Sequence, residues 1–259
     1  VNLLSAAGDG EAALALSRDF LERHPGERLV LASRAIALRD VGDAAAADVL
    51  ADPERMVHII DTPVPDAFDS QAEFLAALKE TVLADDSLLA EPASKSTRGG
   101  RQTGELDLAG NPALAALGEL FSQATTDVAE RLRQGLGADH PALAYDTDRR
   151  FLRAWGTVLD AGGYQAPHQH PLGFLSGVFY VQVPAEMAEG GAEAGWLEFG
   201  EPPARLVSRS AAPRRRIEPR PGRLVLFPSY FWHRTLPFES TETRISIAFD
   251  AVPVAGRIA

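Results

Sequence analysis

The stretch "YQAPHQHPLGFLSGVFYVQVP", from Tyr164 to Pro184, places two histidines one residue apart and follows them with an apolar run. Alternate side chains of a β-strand lie on the same face. His168 and His170 are therefore predicted to face the same way, with Gln169 on the opposite face. The chain contains six histidines in all, so two converging imidazoles indicate either a metal site or a coincidence of spacing.

The composition argues against several classes of protein. The chain has 259 residues and a net charge of −11, and an acidic protein is poorly suited to binding the phosphates of nucleic acid. It contains no cysteine, so neither disulfides nor thiolate metal sites are expected. No apolar run approaches the roughly 18 residues needed to cross a bilayer, and no secretory leader is evident. We therefore expect a cytoplasmic protein that does not bind membranes.

The first 51 residues are predicted to form helices with an internal repeat. "GDGEAALAL" begins at Gly8 and "GDAAAADVL" begins at Gly42, 34 residues later. This period is typical of tetratricopeptide repeats, so residues 1–51 are predicted to be a tetratricopeptide-like segment ahead of a domain at 52–259. An alanine-rich hairpin with an accidental period is the alternative. If one face of these helices is exposed, it could contact a second copy of the chain in a homodimer, a peptide or protein substrate, or further repeats upstream of Val1.

Two helices and a polar loop are predicted in the middle of the chain. "SQAE" at Ser70–Glu73 is a capping box, and Asn111 followed by Pro112 marks the start of a long helix. Between them, residues 94–104 ("SKSTRGGRQTG") are typical of a glycine-rich loop, and such loops can close over active sites. Candidate substrate contacts are three polar residues of this loop and one tryptophan: Lys95, Arg98, Gln102 and Trp232.

The pattern changes at about residue 147. Short β-rich runs separated by glycine and proline continue to about residue 254: "RFLRAWGTVL", "FLSGVFYVQV", "GWLEFG", "ARLVSRS", "GRLVLFP" and "RISIAFDAV". Many short strands at close spacing predict a sandwich or a barrel. The fold class is therefore predicted to be α+β, with helices that support a β core at about 147–254.

A third histidine and an arginine complete a candidate oxidative site. His233 follows the strand "GRLVLF", and Arg244 opens "RISIAFD", where alternation places Ser246 on the same face. Three ligands on one side of a metal such as iron leave positions for a bidentate substrate and dioxygen. A guanidinium backed by a hydroxyl would anchor the distal carboxylate of a 2-oxoacid chelated to that metal. Tyr180 is a further candidate contact for that carboxylate.

These linked motifs resemble the Fe(II)/2-oxoglutarate-dependent oxygenase superfamily, in particular its bacterial members allied to the prolyl 4-hydroxylases. The resemblance runs from about Met56 to Val254 and rests on "HQHP", "SGVFYV", "GWLEF", "PGRLVLFPSYFWH" and "RISIAF". It implies a double-stranded β-helix, jelly-roll or cupin-like. It also implies a hydroxylase that uses Fe(II) and 2-oxoglutarate, acts on a small molecule, peptide or protein, and releases succinate and CO2. The residues it implies are the metal ligands His168, His170 and His233, and the oxoglutarate contacts Arg244, Ser246 and Tyr180.

His170 departs from the pattern of that superfamily, whose second metal ligand is usually aspartate or glutamate. Three neutral imidazoles leave the metal with a larger net charge than two imidazoles and one carboxylate. Two acids are therefore alternatives for the third ligand: Glu198 in "GWLEFG" and Asp160.

Two rival functions remain open from the sequence. A three-histidine dioxygenase that uses no 2-oxoacid would leave Arg244 and Ser246 without a role. A non-catalytic adaptor, with helical repeats on a degenerate oxygenase fold, would bind no stoichiometric iron. The identity of the substrate does not follow from the fold, because substrate contacts come from variable loops.

Overall fold

The computed structural model describes residues 1–93, 95–185, 187, 193–206 and 210–254. Helices open the chain: α1 (Asn2–Ala7), α2 (Gly10–Arg23), α3 (Arg28–Asp40), α4 (Ala44–Ala51) and α5 (Pro53–Met56). Two further helices follow, α6 (Gln71–Leu83) and the longer α7 (Pro112–Leu136). Within the described ranges, none of the helices has the length and apolar character that a membrane span requires.

The strands form one antiparallel sheet. Their bounds are β1 (His58–Asp61), β2 (Leu89–Ala90), β3 (Thr97–Gln102), β4 (Arg150–His168), β5 (Leu175–Gln182), β6 (Leu197–Phe199), β7 (Arg215–Ile217), β8 (Arg223–Pro228), β9 (His233–Thr235) and β10 (Arg244–Pro253). Their order is β1-β8-β5-β10-β4-β9-β6-β7, and β3 pairs with both β2 and β4. The first half of β4 pairs with β10 and its end pairs with β9, so the sheet curls around this long strand. A curled antiparallel sheet with flanking helices confirms the α+β class.

The two predicted helix starts are confirmed by their caps. The Ser70 hydroxyl accepts from the Glu73 backbone N–H at 3.2 Å, and the Asn111 side chain accepts from the Leu114 N–H at 2.9 Å. Each side chain satisfies a backbone donor that the first turn of a helix leaves free. The strand predicted at 204–210 is not confirmed, because residues 204–206 form a turn and bend and residues 207–209 lie outside the described ranges.

The two similar stretches that begin at Gly8 and Gly42 share a local structure. Gly8 and Gly42 end the helices before them with φ of 87° and 89°, in the left-handed region that favours glycine. The next residue caps the following helix in each stretch: Asp9 accepts from a backbone N–H at 3.1 Å and Asp43 does so at 3.0 Å. This match explains the "GD" pair at both positions, while the tetratricopeptide assignment and the domain boundary at 51/52 stay predictions.

The amino-terminal helices pack on the β region through a buried arginine at the start of α3. Arg28 donates to the Gly173 carbonyl at 2.7 Å, to the Leu172 carbonyl at 3.2 Å and to the Tyr145 hydroxyl at 2.7 Å. Its guanidinium also lies 4.1 Å from the centre of the Tyr145 ring. Buried apolar residues of α2 and α3 belong to the same continuous core as those of the sheet. The helical segment is therefore part of the support for the loop that follows β4.

Arg28→Met is expected to lower the free energy of unfolding by roughly 2–4 kcal/mol. It removes hydrogen bonds from a cation and leaves their acceptors in a buried site, while the apolar stem is largely kept. Urea denaturation measures the change, and Arg18→Met on the exposed part of α2 is the matched control. Equal midpoints for the two variants would contradict the anchoring role of Arg28.

The prediction of a loop over residues 94–104 is wrong for most of the segment. Residues Thr97–Gln102 form β3, which pairs with β4. A Cβ at Gly100 would lie 2.4 Å from the Val158 carbonyl oxygen, so glycine is what allows the two strands to approach. The same glycines made the segment look like a loop from the sequence. Ser94 lies outside the described residues.

Candidate metal centre

Three histidines meet where β4 ends and β9 begins. His168, the last residue of β4, pairs directly with His233, the first residue of β9. His170 lies two residues beyond β4, where its backbone N–H donates to the Ser229 carbonyl at 2.8 Å. The ring centroids lie 4.2 Å apart for His168 and His233, 5.2 Å for His168 and His170, and 5.0 Å for His170 and His233. One nitrogen from each ring lies within 4.8 Å of the other two, a spacing that can hold one metal ion.

Each ring is held through its Nδ1 atom. The Nδ1 atoms of His168 and His233 lie 2.8 and 2.9 Å from backbone carbonyls two residues earlier in the chain. His170 Nδ1 lies 2.5 Å from Oδ1 of Asp250 on β10. Carbonyl and carboxylate oxygens accept hydrogen bonds, so each Nδ1 carries the proton and each Nε2 keeps a free lone pair. Imidazole nitrogen suits iron, copper, zinc and nickel, so three free Nε2 atoms fit a first-row metal.

Burial keeps two of these rings neutral. Burial lowers the pKa of His168 to about 3, and the neighbouring His170 adds to the effect. Burial also lowers the pKa of His233 well below its ordinary value, again with a contribution from the other two rings. His168 and His233 are therefore unprotonated at neutral pH, which is the form that binds a metal.

The two acids considered as alternative ligands are engaged elsewhere. Glu198 is fully buried on β6, where Arg216 and Arg234 donate to its two oxygens at 2.6 and 2.7 Å. Burial raises the pKa of the Glu198 carboxyl, but the hydrogen bonds and charges of the two arginines lower it by more. The net effect is a lowered pKa, so Glu198 is ionised and paired. Asp160 lies half exposed on the surface, 3.7 Å from Arg101. Neither acid belongs to the group of ligand atoms around the histidines.

A cavity of about 440 Å³ opens beside the three histidines. Its lining includes Trp155, Leu197, Phe227, Arg244 and Ser246. Gln169, between the two histidines, also contributes to the lining of this cavity. The cavity is large enough for a small molecule, and Arg244 and the three imidazoles line it together.

The strand register places a row of polar side chains across the sheet. Ser246 on β10 pairs directly with Tyr180 on β5 and with Thr157 on β4, and Thr157 pairs with Gln102 on β3. Directly opposed residues of antiparallel strands lie on the same face. Arg244 lies at this row, with its guanidinium carbon 4.9 Å from the centre of the Tyr180 ring. No sequence motif indicated Thr157, because only the pairing of β4 with β10 places it in this row. Thr157 and Tyr180 are not among the residues that line the cavity.

Three buried polar atoms at this row have no hydrogen-bond partner among the described residues: Arg244 Nε, the Tyr180 hydroxyl and the Thr157 hydroxyl. Arg244 is only 1% exposed, and its Nη1 lies 3.5 Å from the Ser246 hydroxyl. Burial lowers the pKa of Arg244, and no carboxylate of the described residues offsets that effect. A guanidinium stays charged in proteins, so Arg244 is a buried cation without an anionic partner in the described part of the chain. These free donors fit the carboxylate of a ligand.

Two of the four candidate substrate contacts line the cavity and two do not. Lys95 and Gln102 line the cavity. Arg98 does not line it; its exposed guanidinium donates to two nearby backbone carbonyls at 2.7 Å. Trp232 lines a separate pocket against α3, because adjacent residues of an extended chain point in opposite directions and His233 faces the cavity. Trp155 lies at the cavity instead, with its ring centroid 5.4 Å from that of His170.

Comparison with known protein families gives one match, over the segment that carries the histidines. Residues 153–250 match the family described as "Putative 2OG-Fe(II) oxygenase". The matched segment begins on β4 and ends at Asp250 on β10, so it includes the three histidines, Arg244 and Ser246. The expected cofactors, Fe(II) and 2-oxoglutarate, are those of the matched family.

Solved structures with the same fold cover most of the chain. The crystal structure of a Pseudomonas putida prolyl-4-hydroxylase has a TM-score of 0.50 and 19% identity, covering 81% of this chain and 99% of that chain. The non-heme alpha ketoglutarate dependent epimerase SnoN from nogalamycin biosynthesis has a TM-score of 0.50 and 17% identity, covering 81% of this chain and 83% of that chain. Comparison with curated protein sequences found no match. These likenesses show that the chain shares the fold of these two proteins.

Proposed function

We propose that the protein is a 2-oxoglutarate-dependent Fe(II) oxygenase. His168, His170 and His233 hold the iron through Nε2, and the row at Arg244 and Ser246 holds 2-oxoglutarate. The family match and the fold support this class of enzyme. The SnoN likeness also shows that the fold is not restricted to hydroxylases, so hydroxylation is the narrower part of the proposal.

The observation that carries the proposal is the unpaired charge of Arg244. Burying an ion without a partner costs several kcal/mol, so such a group in a protein is normally paired or bound to a ligand. The guanidinium reaches the cavity that also contains the three histidines. A ligand with one carboxylate at Arg244 and a metal-chelating group at the histidines satisfies both ends of the cavity. A 2-oxoacid with a second carboxylate has this chemistry.

In this proposal the polar residues of the row bind 2-oxoglutarate. Arg244 binds the distal carboxylate of 2-oxoglutarate through its planar fork, and the hydroxyls of Ser246, Tyr180 and Thr157 donate to the same group. Burial raises the pKa of Tyr180, so its hydroxyl keeps the proton that it donates. Iron with bound 2-oxoglutarate supplies the activation of dioxygen that is coupled to release of succinate and CO2.

The rest of the cavity orients the substrate and limits access of water. Trp155, Leu197 and Phe227 form apolar walls close to the histidines, and Lys95 and Gln102 provide polar contacts. A peptide or protein substrate is supported by the likeness to a prolyl-4-hydroxylase, and a small molecule by the size of the cavity. We therefore propose hydroxylation of a C–H bond in a substrate of one of these two kinds.

An anaerobic titration tests the proposal. The protein is loaded with Fe(II), 2-oxoglutarate is added, and the visible charge-transfer absorption is followed; air is then admitted and succinate is measured. We expect stoichiometric iron, a new absorption band and succinate above the protein-free background. A metal spectrum unchanged by 2-oxoglutarate would favour a three-histidine dioxygenase that uses no oxoacid. Absence of stoichiometric iron would favour a non-catalytic adaptor.

A further inference from the structure

Asp250 is a buried carboxylate directly behind the candidate metal ligands. It lies on β10 and is 6% exposed. Its Oδ1 accepts from His170 Nδ1 at 2.5 Å and from the Ser176 hydroxyl at 2.6 Å. The Ser176 hydroxyl in turn lies 2.7 Å from that of Ser229, whose carbonyl accepts from the His170 backbone N–H. Both the ring and the backbone of His170 are thus tied to one small polar network.

This contact distinguishes His170 from the other two histidines. His168 and His233 are each oriented by a neutral carbonyl two residues away in the sequence. His170 is oriented by a carboxylate 80 residues away. Asp250 Oδ1 accepts from both His170 Nδ1 and the Ser176 hydroxyl, so two donors converge on one buried carboxylate oxygen.

The Asp250 carboxylate places a negative charge beside a site whose three imidazole ligands are all neutral. Two imidazoles and a carboxylate place one negative charge on the metal, whereas three imidazoles place none. Asp250 restores that unit of charge one hydrogen bond away. A carboxylate on the far nitrogen of a ligating imidazole fixes the tautomer and the ring orientation, and it makes the ligand more basic.

We propose that Asp250 is a positioning residue that acts on the metal through His170. This inference rests on the proposed metal site. Asp250 is assigned no contact with the metal, because the convergent ligand atoms found among the described residues are those of the three histidines.

Binding of Co(II) to the full chain tests this role without any turnover. The affinity is measured by competition with a chelator, and the visible spectrum reports the ligand set. Asp250→Asn keeps the shape of the side chain and removes the charge, and we expect it to weaken Co(II) binding by about 10–100-fold. Ser176→Ala is the matched control, since it removes a hydrogen bond to the same oxygen without touching His170. It is expected to change the affinity less than Asp250→Asn does.

A second background separates action through His170 from a general structural effect. In His170→Asp the imidazole is gone, so adding Asp250→Asn should no longer weaken Co(II) binding. Equal weakening in both backgrounds would overturn the proposal, as would parental affinity in Asp250→Asn. A loss as complete as that in His168→Ala would mean that Asp250 is a direct ligand, and it would overturn the proposal as well.

The unmodified protein provides a check that does not depend on any variant folding. Nitrogen NMR of the metal-free protein should show His170 with a proton on Nδ1 and none on Nε2. The opposite tautomer would overturn the role of Asp250. Failure of the parent protein to bind Co(II) at all would overturn the proposed metal site together with this inference, whereas the outcomes above separate the two.

Discussion

His168→Ala and His233→Ala are each expected to weaken Fe(II) binding by orders of magnitude while the protein stays folded. Each substitution removes one of three protein ligands, and neither nearby carboxylate is free to replace it: Glu198 is paired with two arginines. Asp250 accepts from His170 and Ser176 and is not part of the convergent group. Both rings are neutral at neutral pH, so no proton has to be displaced before the metal binds. Anaerobic equilibrium dialysis with Fe(II) measures the loss.

The matched control for these variants is His24→Ala. His24 is exposed at the end of α2, far in sequence from the site, so its removal should leave Fe(II) binding unchanged. Thermal melts by circular dichroism verify that each variant is folded. Retention of one tightly bound iron by both His168→Ala and His233→Ala would show that the metal site lies elsewhere.

Arg244→Met is expected to raise the dissociation constant for 2-oxoglutarate by roughly 10- to 100-fold while Fe(II) binding is retained. A hydrogen-bonded charged contact of this kind contributes about 1.5–3 kcal/mol, and the guanidinium has no other anionic partner among the described residues. Arg244→Lys should restore only part of the affinity, because an ammonium cannot reproduce the planar fork. Anaerobic titration calorimetry of the iron-loaded protein measures these constants.

For Arg244→Met we also expect that the loss of 2-oxoglutarate binding is not accompanied by a loss of stability. Replacing a buried, unpaired cation by an apolar side chain of similar length should not lower the free energy of unfolding measured without 2-oxoglutarate. Arg98→Met is the control, because Arg98 is exposed and lies outside the cavity lining. An unchanged dissociation constant in Arg244→Met would remove 2-oxoglutarate from the proposal and favour the oxoacid-independent dioxygenase.

Local rules were sufficient wherever a feature depends on neighbours along the chain. The caps at Ser70 and Asn111 were predicted because a helix start needs a side-chain acceptor within three residues. The paired "GD" dipeptides were visible because the same turn and cap recur 34 residues apart. The glycines of β3 show the limit of such rules. They indicated a loop, but Gly100 serves the close approach of two strands that are far apart in sequence.

The sequence alone determined which residue types are present and in what order: two histidines one residue apart, a third after a buried strand, and an arginine with a serine two residues later. That order was enough to predict a metal and oxoacid site. Tertiary structure decided which further residues lie beside the proposed site. Thr157 joins Ser246, and Asp250 reaches His170, only through strand register and the curl of the sheet. Contacts between strands depend on how the whole sheet closes, and no local pattern encodes that closure.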